Sequence, residues 1–391
     1  MAPGNAGTAL LARNAPIKPE DPGGLVALAA AERVDLAVLG PEAAVDAGAG
    51  DALRAAGVLV FGPDRAAGRI ESSKAFAKEL MGEAGIPTAA HRAFSEIEPA
   101  RAFAAGRGGQ VAVKADGLAL GKGVFVCGSI SESDAAVEAL LGRGSLGDAG
   151  RTVVVEERLF GPELSVFGFS DGRRVVPLAA ARDYKRALSG DRGPNTGGMG
   201  AYSPPAGVGP SLVDEVSATV LQPAIDALRA RGCEYRGVLY AGLMLTESGF
   251  KVIEFNARFG DPEAQVLLPR LDSDLVEVML ACAVGDLESA AALRWSAEVA
   301  VGVVIASGGY PDRYETGEDI SGLADLPGDV LVFHAGTRLD GERLVTAGGR
   351  VLTLVARGPT VAAARAEAVE AAGRVRFRGA FHRDDIAADG H

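Results

Sequence analysis

In the segment Lys251–Glu263, KVIEFNARFGDPE, a carboxylate and an amide lie two residues apart on what reads as a buried strand. Strand alternation puts Val252, Glu254 and Asn256 on one face, with Arg258 two residues further along it. A buried carboxylate is costly unless it is paired or bound to a cation. Oxygen-only donors select a hard ion, and Mg²⁺ held together with nucleotide phosphates is the usual case. Arg258 could then balance charge on a transferred phosphoryl group. A structural ion pair between Glu254 and Arg258 is the competing explanation.

A second signal lies in Val111–Val126, VAVKADGLALGKGVFV, where Lys114 ends a strand and Gly117, Gly121 and Gly123 surround Lys122. Glycines let backbone amides approach phosphate oxygens closely, and the lysines supply opposing charge. A Gly-rich hairpin with solvated lysines would carry the same letters. The Walker pattern is absent, because Gly123 rather than a hydroxyl residue follows Gly121 and Lys122. Further on, Val153–Val155 runs into Glu156 and Glu157 and then Gly161, Pro162 and Glu163. Such a hinge suits adenine meeting backbone groups and Glu163 accepting from ribose hydroxyls, unless these acids are simply a solvated surface. The stretch Gly193–Pro204, GPNTGGMGAYSP, reads as a substrate loop whose amides, with Asn195 and Thr196, could meet small anions. A mobile linker is the bland alternative.

The elements that must position these residues are legible in outline. A helix-like Leu25–Arg33, the run Leu36–Gly40, a second Ala-rich helix and Val58–Gly62 make an αβαβ rhythm and predict a parallel sheet. Ser72–Ala84 has helical spacing and stops at Gly85. From Val111 to Gly172, β-rich runs at Val111–Lys114, Val124–Cys127, Thr152–Glu157 and Leu164–Ser170 enclose one helix, Ser131–Leu141, which suits a small α+β unit. A Gly-rich loop over Gly193–Gly200, a helix over Leu212–Arg231, and the strands Gly237–Leu245 and Lys251–Phe255 follow. Val299–Ser307, Val330–Ala335 and Arg350–Ala356 are β-rich, and the helix Val361–Val375 closes the sequence.

A chain of 391 residues suggests two to four domains, and its 48% hydrophobic content supports packed cores. With a formal charge of −12 and scattered basic residues, nucleic acid is not an expected partner. The spacing of Cys127, Cys233 and Cys282 fits neither a disulfide framework nor a zinc site. No basic region precedes an apolar run at the N-terminus and no stretch approaches ~20 apolar residues, so a cytoplasmic location follows by default.

Taken in order, Ser73–Phe76, KADGLALGKGV, the Glu156–Glu163 hinge, DYKR at Asp183–Arg186, GPNTGGMGAYSP and EFNARFGDPE resemble the phosphoribosylamine–glycine ligase family. APGNAGT at Ala2–Thr8, GPEA at Gly40–Ala43, SGGYP at Ser307–Pro311 and HAGT at His334–Thr337 extend the resemblance across nearly the whole chain. It implies an ATP-grasp fold, both α/β and α+β in class: an N-terminal parallel-sheet domain over 1–63, an ATP-grasp domain over 64–295 with a mobile lid at about 92–162, and a β-rich C-terminal domain over 296–391. Carried over, Lys74, Lys114 and the lid-loop residues Gly121, Lys122 and Gly123 would contact ATP phosphates, Glu156 and Glu157 would line the adenine pocket, and Glu163 would hold ribose. Glu254 and Asn256 match the metal ligands, for Mg²⁺ or alternatively Mn²⁺. Asn5, Gly7, Thr8, Asp183, Lys185, Asn195, Thr196, Gly197 and Gly198 match positions around glycine and 5-phosphoribosylamine, and Arg258, Lys122 and Asp183 are the catalytic candidates.

The implied reaction forms glycyl phosphate from glycine and ATP, then glycinamide ribonucleotide, in a monomer that needs no nucleophilic side chain. The same ATP and metal residues would serve another ATP-grasp carboxylate–amine ligase, against which DYKR and GPNTGGMG argue; a non-catalytic or impaired nucleotide-binding homologue, which kept ATP contacts but lost substrate binding with its N-terminus, is the other alternative. Relative to the family the chain begins about thirty residues late, after a first strand and a Gly-rich turn, which would remove an interior strand and a helix N-terminus suited to phosphate. Met1 stands where valine is common in the family. The expectation is a longer natural chain whose GUG valine codon was taken for a start.

Overall fold

The computed structural model describes residues 1–119 and 123–388, so Gly121 and Lys122 lie outside the described residues. Helices Pro22–Glu32, Glu42–Asp46 and Ala49–Ala55 alternate with strands Leu36–Val38 and Leu59–Phe61, which pair in parallel with Leu36 opposite Leu59. Asp21 caps the first of these helices by accepting from Gly24 N, and Pro22 supplies a preset first turn. Leu39, Val45, Leu53 and Val60 close a small core between them. The expected αβαβ unit is present.

The helical stretch read over Ser72–Ala84 is the helix Lys74–Glu83, and a separate helix, Arg65–Ser72, precedes it. Ser73 leaves helical geometry at φ −134° and ψ 110°, and its hydroxyl accepts from Phe76 N, so Lys74 opens a new helix. The Asp116 carboxylate accepts from the Ser73 hydroxyl at 3.0 Å and from Ala75 N at 2.7 Å. That contact ties the start of the helix to the end of strand Val111–Ala115.

An antiparallel sheet in the order His91–Phe94, Val153–Glu157, Val111–Ala115, Val124–Val126 carries helices Ile97–Ala105 and Ile130–Val137. Its core includes Ala100, Val113, Leu140 and Val155. A second antiparallel sheet, in the order Gly249–Asn256, Arg236–Thr246, Glu163–Asp171, Val175–Pro177, is backed by helices Lys74–Glu83 and Gln222–Ala230 through Leu80, Ile225, Leu228 and Leu243. Within it Leu243 faces Val252 but Gly242 faces Glu254, so Ile253 is an extra residue and the strand is bulged. The single face expected for Val252, Glu254 and Asn256 is therefore broken. Val252 and Phe255 enter the core, whereas Glu254 and Asn256 line a cleft.

The third sheet runs Leu331–His334, Arg350–Gly358, Val299–Ala306, Gly200–Ser203, Arg182–Asp183, again antiparallel, with helix Val361–Arg374 packed on it. Its last two strands come from the middle of the chain. The stretch read as one Gly-rich loop is thus mostly strand: Arg192–Asn195 pairs with Arg186–Leu188, and Gly200–Ser203 joins the C-terminal sheet. Apolar burial explains the difference, since Ala201 and Tyr202 are both 0% exposed. Gly200 is required there, because a Cβ would stand 2.6 Å from the Gly302 carbonyl.

Candidate active site

A cleft of about 1120 Å³ runs between these sheets, lined by Lys74, Lys114, Glu156, Lys185, Glu254 and Asn256 among others. At one end the Glu156 carboxylate bridges the ammonium groups of Lys78 and Lys114. All three are buried, with relative exposures of 2–3%. Lys78 also donates to the Thr88 hydroxyl at 2.6 Å, and Lys114 donates to the Ile253 carbonyl at 3.3 Å, reaching the bulge that precedes Glu254. Burial alone would raise the Glu156 carboxyl, but Lys114 and Lys78 outweigh it and hold it below the ordinary range. For Lys78 the balance goes the other way: burial and the like charge of Lys114 bring it down to about 8 despite Glu156. At neutral pH Glu156 and Lys78 stay charged. Lys78 was missed in the sequence, although its place one helical turn after Lys74 was the available signal.

At the other end Lys185 pairs with Glu163 at 2.8 Å and lies 3.9 Å from Glu254. Burial would raise the Glu254 carboxyl, and the ammonium groups of Lys185, Lys114 and Lys74 reverse that and keep it low. Asp183 Oδ1 is buried without a hydrogen-bond partner, and burial together with the nearby Glu263 carboxylate pushes its carboxyl well up. Glu263 accepts from the Tyr240 hydroxyl at 2.7 Å and the Ser165 hydroxyl at 3.2 Å. Neither Glu263 nor Tyr240 was singled out in the sequence. Tyr240 sits 16 residues from Asn256 in sequence and meets it only through the strand register.

Arg258 does not pair with Glu254. Its Nε reaches Glu42 at 3.0 Å and its Nη2 reaches Glu71 at 3.4 Å, so carboxylates from two earlier helices hold it at the cleft. Burial lifts the Glu71 carboxyl from 4.5 to about 7, although Arg258 and the Ala257 N–H act to lower it. A carboxyl raised on folding binds more protons in the folded state, so its contribution to stability falls as pH rises from about 4.5 to 7. Glu71→Gln should flatten that part of the profile and stabilise the protein at about pH 8 relative to the parent. Thermal unfolding across that range is the measurement, and an unchanged slope would mean that Glu71 is ionised throughout.

The short connection after Asn195 is held from both sides. Thr196 N and Oγ1 donate to the Lys185 carbonyl at 2.7 and 2.8 Å, and Gly198 N donates to Thr196 Oγ1 at 3.0 Å. Tyr310 and Arg350 come from the C-terminal sheet region: Gly197 N donates to the Tyr310 hydroxyl, while Arg350 donates to the Gly197 carbonyl and pairs with Asp261 at 2.9 Å. Asn195, Thr196 and Gly197 line the cleft, and Gly198 packs against Asp183 and Pro262. Asn5, Gly7 and Thr8 sit elsewhere. Asn5 donates to the His334 and Ala335 carbonyls and accepts from Thr8 N, and Gly7 lies against the His334 ring. Gly123 accepts from Ala115 N, and Glu157 pairs with Lys251 at 3.4 Å.

The donor set suits a divalent ion shared with phosphates. Glu254 stays ionised, Asn256 adds an amide oxygen beyond the bulge, and among the described residues no three His, Cys, Asp or Glu side chains are placed to hold a metal ion by themselves. An ion that takes most of its ligands from phosphate and water needs no all-protein cage.

Fold and cleft together are those of an ATP-grasp enzyme. The phosphoribosylglycinamide synthetase N domain matches residues 1–71, its ATP-grasp (A) domain residues 72–264 and its C domain residues 300–389. A phosphoribosylamine–glycine ligase from Allochromatium vinosum is 49% identical over 99% of this chain and 91% of its own length, and one from Streptomyces coelicolor is 48% identical over 99% and 92%. The crystal structure of phosphoribosylamine–glycine ligase from Thermotoga maritima superposes with a TM-score of 0.86 at 36% identity, covering 99% of this chain and 93% of that one. The biotin carboxylase domain of Hydrogenobacter thermophilus 2-oxoglutarate carboxylase shares the fold, with a TM-score of 0.72 at 17% identity over 93% of this chain and 79% of its own. The chain belongs to the phosphoribosylglycinamide synthetase family. No helix among the described residues is long and apolar enough to cross a membrane.

Proposed function

We propose that this chain joins glycine to 5-phosphoribosylamine with ATP, giving glycinamide ribonucleotide, ADP and phosphate in purine biosynthesis. One observation carries the reading: a single cleft brings Lys74 and Lys114 to the same space as Glu254, Asn256 and Lys185. The first step forms a bond between a glycine carboxylate oxygen and the γ-phosphorus and breaks the bond to the β-phosphate oxygen, so that ADP leaves. In the second, the amine of phosphoribosylamine attacks the acyl carbon, inorganic phosphate departs, and the amine loses a proton. Lys74 and Lys114 neutralise ATP phosphates, Lys185 screens the approach of one anion to another, and Arg258 offsets charge at the transferred group. Glu254 and Asn256 would hold Mg²⁺ or a similar ion, which supplies charge neutralisation at the phosphates when bound.

In this reading residues 1–63 serve as the N-terminal substrate domain, 64–295 as the ATP-grasp domain with the lid at about 92–162, and 296–391 as the C-terminal domain, the last borrowing two strands as described. ADP release measured with and without glycine and phosphoribosylamine tests the reaction. Release that requires both substrates is expected. Release indifferent to glycine would point to another ATP-grasp ligase, and none under any condition to a nucleotide-binding protein.

A further inference from the structure

The tail segment Arg383–Asp385 clamps a hairpin whose two ends enter the cleft. Arg383 is the largest fully buried side chain among the described residues. Its Nε and Nη2 donate to the two Asp385 oxygens at 2.7 and 2.8 Å, and its Nη1 donates to the Arg186 carbonyl at 2.9 Å. The guanidinium also lies 5.1 Å from the centre of the Tyr184 ring. Beside it, the Ser189 hydroxyl donates to Asp384 at 2.6 Å and Gly190 N donates to Asp385 at 2.8 Å. The tail is itself fixed, because Ile386 and Ala387 are buried in the C-terminal core and Phe381 exchanges backbone hydrogen bonds with Ala306.

The hairpin has little of its own to hold it. Every residue of strand Arg192–Asn195 is exposed, and an isolated two-stranded ribbon is marginal in water. One end of it leads into Lys185 and the other into Asn195 and Thr196, with Thr196 bonded back to the Lys185 carbonyl. Lys185 stands 3.9 Å from Glu254, so a tilt of the hairpin moves charge where a carboxylate would approach the γ-phosphate. Lys74 and Lys114 are fixed differently, the first by the contact of Asp116 with Ser73 and Ala75 and the second by Glu156 and the Ile253 carbonyl.

We infer that Arg383 is a positioning residue for glycine: through Tyr184 and the hairpin it sets Lys185 and the Thr196–Gly198 connection without touching substrate. The inference rests on the proposed reaction. Arg383→Met should raise the KM for glycine at least about tenfold, since small misplacements of a positioned group carry costs of that size. Affinity for a fluorescent ADP analogue should stay within about twofold. Ser189→Ala and Asp384→Ala, both at the surface, should raise the glycine KM to a lesser degree, and amide exchange at residues 186–197 should quicken in all three.

Equal loss of glycine and nucleotide affinity would overturn the inference, as would faster exchange with an unchanged glycine KM. Should Arg383→Met fail to fold, the two surface variants decide: an unchanged glycine KM in both overturns it. If the parent protein releases no ADP in response to glycine, the reaction is at fault and not the clamp. Exchange at 186–197 in the variants then decides the clamp, unchanged rates refuting it.

Discussion

Glu254→Ala and Asn256→Ala should each lower turnover by about 10²–10⁴-fold, a loss of several kcal/mol of charge neutralisation, with the unfolding transition little moved. The asymmetry follows from where the side chains lie. Glu254 projects from the bulged strand into the cleft with its side chain 33% exposed and its nearest ammonium 3.9 Å away, so it contributes little to packing. Removing it leaves Lys185 still paired with Glu163. Steady-state ADP release and thermal unfolding on the same preparations make the test. Near-normal turnover in either variant would remove the metal assignment.

The reverse pattern is expected at Glu156. Truncation to alanine leaves Lys78 and Lys114 as neighbouring buried cations without a counter-charge, and breaking a buried pair in this way costs about 3–5 kcal/mol. That is a large share of the ~5–15 kcal/mol by which a domain is stable. Urea unfolding near neutral pH reads the loss directly. A shift below about 1 kcal/mol would mean that water or a rearranged lysine relieves the charge, as at an exposed pair. Nucleotide affinity should fall as well, because Lys114 would lose the partner that aims it along the cleft.

Much of the site was legible because its residues sit beside recognisable backbone features. Lys114 ends a β-rich run, Glu254 and Asn256 keep a spacing of two, and the Gly-rich segments announced themselves by composition. The bulge at Ile253 was not legible, because strand alternation assumes an unbroken ladder and an extra residue leaves no mark on side-chain type. Nor was the short helix Arg65–Ser72, which ends where the Ser73 hydroxyl caps the helix read over Ser72–Ala84. The Gly193–Pro204 stretch misled for a related reason: glycine content suggested a loop, while burial of Ala201 and Tyr202 drew half of it into a sheet.

The partners that pin the site were the least visible. Glu42 and Glu71 reach Arg258 across separations of 216 and 187 residues, and Arg350 reaches Gly197 across 153. Nothing in a local window marks such pairs. The parallel αβαβ unit and the β-rich end, by contrast, follow from periodicity alone, since each is set by burial patterns within single elements.

The C-terminal sheet also limits how this protein could be rearranged. Strands Gly200–Ser203 and Arg182–Asp183 extend it beyond Val299–Ala306, so covalent order and spatial order disagree at that boundary. A recombination event swapping the last hundred or so residues with those of a relative would import a sheet face shaped to someone else's middle segment. Success would depend on the match at Ala201, Tyr202 and their neighbours across the ladder, not on the compatibility of the exchanged piece with itself. Lineages of such chains are therefore expected to inherit the region around residues 182–203 and the C-terminal sheet as one block.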